Sequence, residues 1–492
     1  MTEPSKPTEG RADDTNTILF TLAEAAAALG FSARGKATAS VTAVCIDSRL
    51  AAPGSLFVAL PGEKADGHDF VEAAAGRGAL AMMVSAEGYS QRASLYERLC
   101  AEKGLSFLVT KAGVAPLRAF QDLAAWYVSQ FPALIKVGIT GSSGKTTSKE
   151  MVKSILSQKY RVVSTLGNLN SETGLPLSVF QIRAEHEVGV FELGMNRVGE
   201  ILETARVLKP SLALITNIGT AHIGILGSQD GIAKEKKNIF AFFDGKGAAF
   251  IPEDEPYLRF LSKGVKGTVF TYGPSSTPGF KGSRNLGLDG SAIDWEGSQI
   301  KLPLPGRHNV QNALGAIRVA RHLNCSVAEV KAGLEGLSAG FGRAEVVHGA
   351  VTLFQDCYNA NLESVEASLD FADSLEWAAG RKVFVLGSLL ELGAESEATH
   401  AEIGRRAAAS SADALFFFGP EMEAAYKAAA AKKFPGRAVW SADFEELRAE
   451  LVSYLAAGDF LLLKGSRGMA LERFSEVVAA RFNKDCGAGA PC

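Results

Sequence analysis

The sequence predicts an α/β protein of three domains, and three observations carry that expectation. Its 492 residues are too many for one hydrophobic core and fit about three domains of ordinary size. Short apolar runs of strand length alternate with segments of helical spacing through most of the chain, the pattern of parallel sheets with right-handed crossovers. A Gly/Ser-rich loop, Thr140-Gly141-Ser142-Ser143-Gly144-Lys145-Thr146-Thr147, joins an apolar run at 134–139 to a helical stretch at 148–156. The expected divisions are a disordered leader at 1–20, a small α/β domain at 21–109, a central P-loop parallel-sheet domain at 110–340 and a Rossmann-like α/β domain at 341–492.

Composition narrows the function classes. Hydrophobic residues make up 47% and charged residues 21%, as in an ordinary globular protein, and the net charge of -3 gives no electrostatic case for nucleic acid. The cysteines Cys45, Cys100, Cys325, Cys357, Cys486 and Cys492 are scattered and contain no CxxC pair, which predicts reduced thiols and a cytoplasmic protein. The polar segment 1–16 lacks the apolar core of a signal peptide, and no apolar run reaches the ~20 residues of a membrane span.

In order, a short helix at 22–29 precedes strands at 41–46 and 55–60. Polar loops follow both strands: Asp47-Ser48-Arg49, then Pro61 through Phe70 with Lys64 and His68. Arg49 or Lys64 could meet a phosphate or carboxylate, although turn chemistry explains either loop on its own, and His68 reads equally as a capping or core histidine. A helix at 115–131 ends at Pro132 and leads into the strand before the Gly/Ser loop.

That loop is a phosphate site in physical terms. Unpaired N–H groups at a helix start and the helix dipole favour an anion, and glycines let it approach the backbone. Lys145 would neutralise outer phosphates and Thr146 would reach Mg²⁺. Ile139 stands where the strict P-loop pattern has its first glycine. Further strands at 188–191 and 212–216 flank a helix at 199–208, so Glu192 and His222 fall at or just past strand ends. Ligands of such sheets gather beyond those ends, where a carboxylate suits Mg²⁺ and an imidazole could join its shell.

Beyond these, the helical turn 231–240 carries Lys234, Lys236 and Lys237, which local physics reads as solvated lysines. The stretch 248–300 is irregular. Pro305-Gly306-Arg307-His308-Asn309 breaks the chain before a helix, with Asn309 a plausible N-cap and His308 and Asn312 unexplained. After Gly342-Arg343, strands at 351–354, 382–386, 414–418 and 460–463 alternate with helices, and no GxGxxG follows any of them.

In combination, the 140–147 loop, Gly167-Asn168-Leu169-Asn170, Glu192-Leu193-Gly194-Met195-Asn196, Thr216-Asn217-Ile218-Gly219 with His222, Pro305 to Asn309, Gly342-Arg343, Asp356 to Asn361 and Leu463-Lys464-Gly465-Ser466-Arg467 resemble the Mur ligase family from 21 to about 478. The Gly62–Phe70 loop and Tyr358-Asn359-Ala360-Asn361 resemble the member that adds a dipeptide. The resemblance implies ATP-dependent amide ligation through an acyl phosphate, with UDP-MurNAc-tripeptide and D-Ala-D-Ala as partners, in a monomer.

It also implies roles. Gly141, Ser142, Ser143, Gly144, Lys145, Thr146 and Thr147 would cradle ATP, with Thr146 and Glu192 on one Mg²⁺ and His222 on a second. Lys236 matches a lysine that becomes carbamylated and so gains an anionic oxygen for metal. Asn309 and Asn312 would contact the nucleotide from the central domain, and Arg343 and Asp356 from the C-terminal one. Ser48 and Arg49 would face the UDP-sugar, and Asn168 and Asn170 the substrate channel. Ser171, Asn238 and Ser388 depart from the family pattern and bear on selectivity. A sister ligase that adds a single amino acid, or a nucleotide-gated binding module, stands as the alternative; an acceptor-amine requirement separates them.

Overall fold

The computed structural model describes residues 17–62 and 64–482. The expected leader lies mostly outside the described residues, as do Glu63, Cys486 and Cys492. The chain packs as two compact units. One runs through Leu134 and takes in 165–186 and 206–208; the other holds 135–164, 187–205 and the chain from Lys209 onward.

In the first unit, a sheet of five strands has the spatial order Ser32–Arg34, Ser106–Val109, Ala81–Val84, Ser55–Val58, Ala43–Cys45. Only the first pairing is antiparallel. The three inner strands are apolar on both faces, as strands covered on both sides must be. The expected strand at 41–46 is split, with Ser40–Val41 pairing Phe20–Thr21 in a separate ribbon. Helix Leu22–Leu29 starts in a capping box between Thr21 and Glu24 and ends at Gly30 in the left-handed region, as its sequence directs.

The second unit holds two sheets of six strands. In the first, the order is Gly267–Tyr272, Gly247–Pro252, Leu212–Ile215, Ile135–Thr140, Val188–Glu192, Val162–Ser164, all parallel. Strand order reverses around Ile135–Thr140, so the loop after it opens at the sheet's switch point. Register sets Glu192 beside Ile139 and Ile215 beside Thr140, which brings all three strand ends to one edge. Val137, Ile139, Met151, Val152, Ile155, Leu214, Phe250, Leu314 and Ile317 are fully buried in the core beneath that edge. The irregular stretch also contains an antiparallel meander, Phe280–Asn285, Ser291–Trp295 and Ser298–Leu302, whose Trp295 and Ile300 complete this core.

In the other sheet the order is Glu345–Val347, Thr352–Gln355, Phe460–Lys464, Lys382–Gly387, Ala414–Phe418, Arg437–Ser441. The first pairing is antiparallel and the rest are parallel. Separate apolar clusters cover its two faces. The four expected inner strands are present, and the two edge strands are additions.

Candidate active site: a phosphate cradle and the residues around it

Helix Lys145–Leu156 begins directly after Gly144, whose φ of 75° is left-handed. A Cβ there would meet Asn312 Oδ1 at 2.7 Å, so both backbone and neighbour require glycine. Asn217 organises the loop. Its Oδ1 accepts the Ser142 and Ser143 N–H groups at 3.0 and 2.9 Å, and its Nδ2 donates to Ser143 Oγ at 2.7 Å. Thr216 Oγ1 donates to Ser143 O at 2.6 Å, and the Gly219 N–H donates to Ser142 Oγ at 2.8 Å.

Two lysine side chains converge on one carbonyl. Lys145 Nζ donates to Gly141 O at 2.9 Å, and Lys236 Nζ donates to the same oxygen at 2.8 Å. Burial lowers the pKa of Lys145; Glu192 opposes that shift and Arg343 adds to it. Lys236 is 1% exposed, and burial followed by repulsion from Lys145 holds its pKa well below the usual 10.5, against the pull of Glu235 and Glu192. Such a cluster favours an incoming anion. The solvated-lysine reading of 234–237 therefore fails for Lys236. The helix Gln229–Lys237 turns it inward, and Glu235 beside it accepts the Gly199 and Ile201 N–H groups at 3.0 and 2.9 Å.

Thr146 Oγ1 donates to Glu192 Oε2 at 2.7 Å across the edge of the sheet. A hydroxyl and a carboxylate are hard oxygen donors, a partial shell that phosphate oxygens and waters would complete around Mg²⁺. His222 caps helix Ile223–Leu226 at a left-handed φ of 63°, with Nδ1 2.6 Å from Glu391 Oε2.

Helix Arg307–His322 differs from expectation at its start. Its N-cap is Gly306, not Asn309. Asn309 sits inside the first turn, where its Nδ2 donates back to Pro305 O at 2.7 Å, and Asn312 follows one turn on against Gly144. Both are buried.

The C-terminal sheet contributes the remainder. The Arg343 guanidinium lies over the Tyr358 ring at 3.8 Å. Asp356 is met by Lys464 Nζ at 2.7 Å and the Ser368 hydroxyl at 2.6 Å on Oδ2, and by the Ala344 N–H at 3.2 Å on Oδ1. Glu363 bonds the Thr220 N–H and hydroxyl at 2.9 and 3.0 Å. Sequence reasoning assigned nothing to Asn217, Lys464, Glu363 or Glu391. The first two lay inside motifs it had singled out, and the two glutamates carried no signal.

In the first unit, Asp47 caps the turn Ser48–Leu50 and pairs with Arg49 at 2.6 Å; hydrogen bonding from Arg49 pushes the Asp47 carboxyl down to about 2. Arg49 itself is 82% exposed. Asn170 N–H donates to Asn168 O at 2.7 Å, and Ser171 Oγ accepts the Gly174 N–H at 3.1 Å. His68 is a buried structural residue, with Nδ1 2.7 Å from Asp66 and Nε2 accepting the Ser85 N–H at 3.1 Å.

Three family descriptions match successive stretches: Mur ligase family catalytic domain at 40–108, Mur ligase middle domain at 139–320, and Mur ligase glutamate ligase domain at 342–467. A Treponema pallidum protein named UDP-N-acetylmuramoyl-tripeptide–D-alanyl-D-alanine ligase is 44% identical over 445 residues, covering 88% of this chain and 93% of the relative. The chain belongs to the Mur ligase family. It is an ATP-dependent amide-bond ligase of that family. The Escherichia coli protein of the same name is 35% identical over 90% of this chain and 94% of its own. Among solved structures, MurF from Acinetobacter baumannii superposes with a TM-score of 0.83 at 29% identity, covering 94% and 99% of the two chains. Thermotoga maritima MurF in complex with ADP gives 0.73 at 27% identity, covering 88% and 96%. The ATP-binding and α/β expectations stand within this Mur ligase's family and fold.

Proposed function

We propose that this ligase joins D-Ala-D-Ala to UDP-MurNAc-tripeptide, releasing ADP and phosphate, in the cytoplasmic synthesis of peptidoglycan precursors. The relatives that match it nearly end to end carry that activity in their names. Within the site, the observation that carries the reading is the paired approach of Lys145 and Lys236 to Gly141 O beside the Thr146–Glu192 bond.

The tripeptide carboxylate attacks the γ-phosphorus as the bond to ADP breaks; the dipeptide amine then attacks the acyl carbon, and phosphate leaves. The protein's task is positioning and charge stabilisation. Lys145 turns from Gly141 O to the phosphates, and the loop N–H groups with Thr147 hold them at the helix start. Arg343 steadies charge from the C-terminal side. Asn309 and Asn312 fix the nucleotide from the central domain and Asp356 from the other.

Thr146 and Glu192 would hold Mg²⁺, with His222 at a second ion, and the metal would neutralise the developing phosphate charge. The burial that depresses the Lys236 pKa favours its neutral amine, the form that combines with CO₂ to give a carbamate and a proton. Ser48 and Arg49 face the UDP-sugar, and Asn168 and Asn170 the peptide. The working form is the monomer.

Mass analysis of product from UDP-MurNAc-tripeptide and Mg-ATP, with D-Ala-D-Ala set against single amino acids, tests the assignment. Adduct with the dipeptide is expected; preference for a single amino acid would move the chain to a sister ligase.

A further inference from the structure

Lys464 ends strand Phe460–Lys464 and is 3% exposed, so its ammonium depends on protein partners. It has two: Asp356 Oδ2 at 2.7 Å and Asn359 O at 3.2 Å. Asp356 follows the neighbouring strand Thr352–Gln355, and its N–H donates to Leu463 O at 3.0 Å. Backbone pairing thus brings the two side chains together at one sheet edge. The Ser368 hydroxyl and the Ala344 N–H meet the same carboxylate. Three bonds to one short carboxylate leave it a single orientation, and Lys464 supplies the only full charge among the donors. The Asn359 carbonyl, gripped by the same ammonium, belongs to the loop that carries Tyr358, on whose ring Arg343 lies. His308 lies on the helix that bears Asn309 and Asn312. Burial chiefly lowers its pKa, Asp356 raises it and Lys464 lowers it, so the pair sits within electrostatic reach of the opposing wall.

We infer that Lys464 is a positioning residue for nucleotide use, acting through Asp356 and the Tyr358–Asn359 turn rather than by touching ATP. This rests on the reading of Asp356 as a nucleotide contact. An ion pair that merely ties two strand ends together would affect folding and leave the affinity for ATP alone.

The test is steady-state kinetics of the full chain for Lys464→Met, Asp356→Asn and the double variant, with thermal midpoints alongside. Asp356→Asn is expected to raise KM for ATP by about tenfold or more, the scale of one charged hydrogen bond. Lys464→Met should raise it similarly, leave KM for the UDP-sugar peptide unchanged, and add little in the double variant, since both act through one group. Ser368→Ala removes a neutral bond from the same carboxylate oxygen, spares the charge pair and should shift KM for ATP in the same direction by less; it serves if Lys464→Met does not fold. Unchanged KM for ATP in Lys464→Met and Ser368→Ala, with Asp356→Asn impaired, overturns the inference alone. Unchanged KM in Asp356→Asn removes the nucleotide reading of Asp356 and the inference with it.

Discussion

At the scale of residues, the proposed chemistry turns on two lysines that share the Gly141 carbonyl. Lys145→Ala leaves a small side chain at a helix start, so the fold should persist while ligation falls by about 10²–10³-fold or more, the cost of losing one preorganised charge at developing charge. Circular dichroism with a ligation assay checks both halves, and normal turnover would refute the assignment. Lys236→Ala should lose activity that short carboxylic acids partly restore by returning an anionic oxygen to the vacated space. Activity indifferent to the substitution removes the carbamate from the mechanism. The same lysine predicts a pH effect on stability without nucleotide. Between its depressed folded value and the unfolded 10.5, the unfolded chain holds a proton the folded chain lacks, so stability rises with pH across that interval. Denaturation midpoints of the unsubstituted chain, measured against those of Lys236→Met at each pH, should gain on the variant as pH rises through that interval, whatever the buried thiols and phenols add to both. Lys145, Thr146 and Glu192 were legible because loop spacing and strand ends are local signals. Asn217 and Lys464 were not, since their partners lie 75 and 108 residues away and only register brings them together.

Among elements, helix Arg307–His322 and the phosphate loop constrain each other through Gly144 and Asn312. Gly144→Ala combines a left-handed φ of 75° with a Cβ 2.7 Å from Asn312 Oδ1. A destabilisation of about 1–2 kcal/mol is expected from the backbone alone, with weaker ATP binding as Asn312 is displaced. A melting curve and nucleotide titration identical to the unsubstituted chain would count against this packing. Apolar runs buried on both faces announced the inner strands, Val188–Glu192 and Ala414–Phe418 among them. Glu345–Val347 and Arg437–Ser441 escaped notice because edge strands are half exposed and carry little apolar signal. Asn309 passed for an N-cap because Asn favours that position, whereas Gly306 takes it at a φ of 97° that suits glycine.

Across the second unit as a whole, the C-terminal sheet is pinned to the loop that carries His222. Glu363 holds Thr220, a Cβ on Gly219 would strike the Glu363 carboxyl at 2.8 Å, and Glu391 meets His222 while its carbonyl accepts the Gly224 N–H at 3.2 Å. Closure over an acyl phosphate must exclude water. Glu363→Ala should therefore raise phosphate released per amide formed above equivalence, and a ratio unchanged from the unsubstituted enzyme would deny these contacts a part in closure. No local pattern foretold them: Glu363, in the first turn of helix Leu362–Ser374, reads as a dipole partner until the opposing loop is in place, and Glu391 lies in a loop outside helix and strand.

Coupling of ATP use to amide formation is tested by phosphate release from Mg-ATP with UDP-MurNAc-tripeptide and D-Ala-D-Ala, each supplied alone and both together. Release is expected only with both, matched by ADP and by amide product. Steady release with neither substrate, or none in any combination, would contradict it.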